Sequence, residues 1–135
     1  MATGTAGTAA RQFHTQHVHY LRKAITFADR ATTVTIGTIP SGSVINFATS
    51  GVFVHTVFNG GTNNRLDVGD ALDTGTNNYG TLLSLLTMGF VPLDEGANTS
   101  SKVSVDTAIS AYVDVTGTTP TTGDATIVIA YFPDL

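Results

Sequence analysis

The chain has no cysteine and no tryptophan, and Glu95 is its only glutamate. Without cysteine there are no disulfides and no thiolate metal sites. Without tryptophan the side chain best suited to stacking on sugars is missing. With one glutamate, paired-carboxylate chemistry such as sugar hydrolysis would fall to aspartates in turns. Charge is scarce as well: charged residues make up 12% of the chain, against roughly 25% in an ordinary soluble domain. Surfaces destined to be covered by other subunits are depleted in charge in this way. The net charge of −4 opposes sequence-independent binding to nucleic acid, which needs a basic field. Long apolar runs are missing too. "IVIAYF" and "LLSLL" fall far short of the ~20 residues of a membrane span, so no membrane partner is expected. The start, "MATGTAGTAARQF", lacks the apolar core of a secretory signal.

What is present is one domain's worth of alternating strands. A chain of 135 residues buries about two-thirds of the surface its unfolded form exposes. Residues 1–14 are mostly Ala, Thr and Gly and are expected to form an N-terminal arm, with a single β-domain over 15–135. The alternation in "HVHYLRKAITF" puts His19, Leu21, Lys23, Ile25 and Phe27 on one side and Val18, Tyr20, Arg22 and Ala24 on the other. "TVTIGTI", "SVINFAT", "VFVHTVF", "RLDV", "KVSVDTAISAYVDVTG" and "ATIVIAYF" read as further strands. In "VFVHTVF" both faces carry large apolar residues, so Phe53 is expected to be buried. Leu82, Leu83, Leu85 and Leu86 fall at helical spacing, and an Asn before and Gly89 after predict a short helix over 79–88. Seven or eight short strands with turns every 8–12 residues predict an all-β sandwich or barrel.

Three site chemistries are tested by spacing. "FNGGTNNRLDVGDALDTGTNNYG" is rich in potential calcium ligands. Its Asp67, Asp70 and Asp73 are three apart, however, and no terminal Glu follows, so two turns around the strand Arg65–Val68 fit better. "FHTQHVHYL" clusters His14, His17 and His19, and His55 lies on a later strand. A cupin-like metal site would need a carboxylate where Leu21, Arg22, Lys23 and Ala24 stand, and cations repel a metal ion. No "GxSxG" elbow or phosphate-cradling glycine loop is found, so neither an enzyme nor a cofactor is expected. The charges are unevenly placed: Arg11, Arg22, Lys23 and Arg30 stand against Asp29 within the first 30 residues, and almost all other acids lie beyond Asp67. That split suits contacts between neighbours in an assembly.

The stretches "VFNGGTNNRLDVGDALDTGTNNYG" and "AYVDVTGTTPTTGDATIVIAYFPDL" carry a family pattern: an Asn-Gly turn, N-x-L-x-V-G, and a closing strand pair ending in Tyr and Pro-Asp. Over residues 52–80 and 109–135 the chain resembles the jelly-roll cement or decoration proteins of tailed bacteriophages. The resemblance implies a jelly roll, a place on the virion exterior, contacts with a major capsid protein, and a homodimer or higher oligomer. It implies no activity and assigns no gripping residues. Charge and aromatic content single out Arg11, Phe13, His14, His17, His19, Tyr20, Arg22 and Lys23 as the expected partner-binding set. A carbohydrate- or receptor-binding virion domain is the alternative, and a cupin-like metalloenzyme using His17, His19 and His55 is a second.

Overall fold

The computed structural model describes residues 17–70, 77–96 and 99–134. These form nine strands: β1 (His19–Thr26), β2 (Thr33–Ile39), β3 (Val44–Ile45), β4 (Gly51–Thr56), β5 (Asn63–Gly69), β6 (Gly80–Ser84), β7 (Gly89–Pro92), β8 (Thr107–Thr116) and β9 (Asp124–Phe132). Two sheets pack face to face. The first has the order β1-β9-β4-β7, with the two-residue β3 pairing to the end of β9; the second has the order β2-β8-β5-β6.

The pairings are nested. β1 pairs with β9, β2 with β8, β4 with β7 and β5 with β6, all antiparallel. The chain is thus one long double ribbon folded at β5–β6. Rolling that ribbon brings β9 against β4 and β8 against β5. Every other link between these eight strands crosses from one sheet to the other, which is the winding of a jelly roll. The fold class expected from the sequence therefore holds.

Alternation builds the core. Ile25, Val52, Val54, Ile127 and Ile129 of the first sheet are buried in one cluster with Leu66, Val68, Ile109, Val113 and Val115 of the second. Each fully buried Leu, Ile or Val contributes about 1.5–3 kcal/mol of transfer free energy. Phe58, 1% exposed, lies where the chain crosses from β4 to β5. A Cβ on Gly123 would fall 2.5 Å from the Phe58 ring, and Gly123 has φ +148°. Glycine is required there for both space and backbone conformation.

The helix expected over 79–88 does not form. Residues 80–84 are β6, and Leu83 and Leu85 are buried while Leu82 and Leu86 are exposed. This is a two-residue period, as in a strand. Two carboxylates fix it: Leu82 N donates to Asp67 Oδ1 at 2.7 Å, and Thr81 N donates to Asp94 Oδ1 at 2.8 Å. The pairing of β5 with β6 slips between Leu66 and Val68, and Leu82 takes φ +52° in that bulge. The expected strand "SVINFAT" also shortens. Only β3 forms, followed by a 3-10 turn at Phe47–Thr49 capped by the Asn46 side chain.

Candidate binding face on the outer side of the first sheet

The outward residues of the first sheet make a shallow groove. β9 supplies the floor through Thr126 and Val128. Tyr20 and Arg22 of β1 line one side, Phe53 and His55 of β4 the other, around a concavity of about 420 Å³. β1 and β4 are the two neighbours of β9, so the walls stand about 9–10 Å apart, two strand spacings.

Local sequence explains each wall. In β4, Val52 and Val54 point into the core, so Phe53 and His55 point out. Phe53 is 39% exposed rather than buried, which corrects the sequence expectation, and its ring stacks at 4.6 Å on the equally exposed Phe90 of β7. Gly51 permits that approach, because a Cβ there would fall 2.2 Å from the Val91 carbonyl oxygen. Tyr20 is 61% exposed. His55 Nε2 and Thr126 Oγ1 lie 3.0 Å apart and hydrogen-bond each other across the floor.

The expected partner-binding residues separate. Tyr20 and Arg22 share the groove. His19 and Lys23 have the opposite, inward parity, yet both are exposed because β1 is the edge strand. His19 leans on Tyr131, with ring centroids 5.8 Å apart. His17 is exposed just before β1. Arg11, Phe13 and His14 lie outside the described residues. Phe53, His55, Phe90, Thr126 and Val128 were not singled out as binding residues; the alternation of "VFVH" carried the signal for the first two. The cupin-like set does not assemble on one face, since His19 and His55 project from opposite sides of the sheet. Among the described residues no three His, Asp or Glu side chains are grouped to hold a metal.

The Asn side chains of the Asn- and Gly-rich stretch are engaged by backbone groups, both local and from the loop before β9. Asn59 Oδ1 accepts from Thr121 N and Thr122 N at 2.8 and 3.0 Å. Asn64 closes a ring with Gly60, accepting its N–H at 2.7 Å and donating to its carbonyl at 2.9 Å. Instead of reversing the chain beside a neighbouring strand, "NGGTNN" carries it from one sheet to the other. Of the second "GTNN", residues 75 and 76 lie outside the described residues, and Asn78 Oδ1 accepts from Asp70 N at 3.0 Å.

A smaller hollow of about 220 Å³ lies among Asp70, Tyr79, Thr99, Lys102 and Val103. Tyr79 is buried against Phe47. Burial, and secondarily the Asp70 carboxylate, push its phenol up to about 12. The unfolded chain releases this proton near pH 10. Between about pH 10 and 12 the folded state therefore binds more protons, and stability falls as pH rises through that window. Alkaline unfolding of Tyr79→Phe should lack this component; an unchanged profile between the two would contradict the assignment.

The geometry defines an all-β jelly roll with an aromatic-walled outer face. No protein-family model and no curated protein sequence matches the chain. Among solved structures it is similar to the cyanophage Pam1 capsid asymmetric unit, with a TM-score of 0.54 and 21% identity over 87% of this chain and 84% of that chain. At that identity the likeness is one of fold.

Proposed function

We propose that this chain is a structural protein of a tailed-phage virion, a cement or decoration protein that binds the head exterior and bridges capsid subunits. The observation that carries the reading is the jelly roll it has in common with the Pam1 capsid asymmetric unit over most of both chains. Its charge-poor composition and its exposed aromatic face agree with that role. Such a protein performs no catalysis: it buries surface across neighbouring subunits, and each bound copy stabilises the shell by mass action. Self-association into a dimer or higher oligomer, and an arm of residues 1–14 that adds to the grip, belong to the same reading.

The purified protein should bind preformed shells of its own phage and raise their melting temperature. At a free concentration 100-fold above Kd the stabilisation is about 2.7 kcal/mol per site. Absence of binding in a sedimentation assay would overturn the reading. Unchanged binding after deletion of residues 1–14 would remove the arm from it.

A further inference from the structure

The groove on the first sheet has a composition that selects its occupant. Its walls are aromatic, with Tyr20 on one side and Phe53 on the other, the latter continued by Phe90. Its floor is a single strand presenting Thr126 and Val128. Among the described residues that line it, Arg22 is the only formally charged one. Arg22 makes no ion pair with the described residues, whereas Arg65 is paired with Asp114 on the other sheet.

We propose that this groove receives an extended segment of the shell protein that places a large apolar side chain between Tyr20 and Phe53 and a carboxylate on Arg22. The proposal rests on the capsid-binding reading above and names the surface and chemistry that reading leaves open. Charge complementarity carries the choice of occupant. An unpaired guanidinium beside aromatic rings favours a carboxylate, which it holds with two parallel N–H donors. Tyr, Phe and Arg around an apolar centre are also the composition of a protein-binding hot spot.

Other occupants fit less well. A second copy docked by a two-fold axis would present this same face, whose described lining residues include no carboxylate to pair with Arg22. A glycan needs many hydrogen-bonding groups. Here His55 and Thr126 spend one hydrogen bond on each other, and among the described lining residues only the Arg22 fork and the Tyr20 hydroxyl add further polar groups. The groove width, about two strand spacings, suits one extended chain lying along the sheet.

The test measures binding to purified shells for the wild-type chain and for Arg22→Glu, Phe53→Ala and Thr33→Glu. Thr33 is exposed on the edge strand of the second sheet and serves as the control. Both groove variants should weaken shell binding by about 30-fold or more, the scale of a hot-spot residue, and Thr33→Glu should leave it unchanged. All three sites are exposed, and thermal unfolding of the free variants verifies that each is folded. Wild-type-like binding by a folded Arg22→Glu would overturn the groove assignment while leaving shell binding itself intact. Failure of the wild type to bind shells would instead remove the capsid reading and the groove proposal with it. Dissociation of a free oligomer by Arg22→Glu would overturn the proposal in favour of a second copy. Specific binding on a glycan array that Phe53→Ala abolishes would overturn it in favour of a sugar.

Discussion

Phe58→Ala should lower the melting temperature of the free protein by roughly 10–20 °C, from a loss of about 3–5 kcal/mol. Phe58 is among the largest fully buried side chains, at 1% exposure. It occupies the crossing from β4 to β5, where its N–H donates to the Leu85 carbonyl at 3.0 Å and its ring meets Gly123 at the entrance to β9. One residue thus ties three parts of the roll together, through its backbone at Leu85 and through its ring at Gly123. Truncation removes its transfer free energy and leaves a cavity. Gly123 has no side chain with which to fill that cavity, so relaxation is limited. Total stabilities of single domains are only about 5–15 kcal/mol, so the variant sits near the edge of folding. Phe58→Leu keeps most of the volume and should cost less than about 1.5 kcal/mol. Calorimetry on the two variants checks this, and a shift of under about 3 °C for Phe58→Ala would show that the ring is not held in the core. The groove lies on the outer face, so shell binding by the folded fraction should not change.

Much of this architecture could be read from alternation. β8 and β9 carry inward apolar residues at every second position, and within β1 the sides assigned to residues 19–25 are those observed, whereas Phe27 begins a 3-10 turn and is exposed. The nesting of strands could not be read this way. Pairing His19 with Tyr131 joins residues more than a hundred positions apart, and no local pattern encodes that register. The same distance hid the groove. The sequence placed Tyr20 and Arg22 together on one side of β1, but their neighbours Phe53, His55 and Val128 come from strands brought alongside by the roll. Two misreadings have distinct causes. Phe53 was expected in the core because apolar residues on both faces of a strand usually mean burial on both, whereas the outward face of β4 has no layer packed over it among the described residues and Phe53 rests only against Phe90 of the next strand. The four leucines at 82–86 fit a helical spacing, but the same spacing also places Leu83 and Leu85 in register two residues apart. The choice between them was made by Asp67 and Asp94, distant in sequence, which capture the two amides of the bulge.

That bulge leads to the second large effect. Asp67→Ala should destabilise the protein by about 1.5–3 kcal/mol, the range for a hydrogen bond to a charged group whose loss strands its partner. Asp67 is only 7% exposed although it lies on the outward side of β5. Its Oδ1 accepts from Leu82 N at 2.7 Å, and Leu82 holds φ +52°. For a residue with a Cβ, the left-handed region costs roughly 1–2 kcal/mol, so something must hold Leu82 there. With the carboxylate gone, the Leu82 amide loses its acceptor. The bulge then relaxes or the amide stays unsatisfied, and either outcome costs stability. Asp67→Asn retains an acceptor oxygen at the same reach and should lose markedly less, which separates the bond from the charge. Asp94→Ala removes an analogous bond, to Thr81 N at 2.8 Å, but Asp94 is exposed. Water can replace that acceptor, so its effect should be the smallest of the three. Hydrogen exchange at the Leu82 amide reads the bond directly. It should accelerate in Asp67→Ala and much less in Asp67→Asn. Equal protection in Asp67→Ala and the wild type would mean that the strand pairing alone holds the bulge and the carboxylate does not.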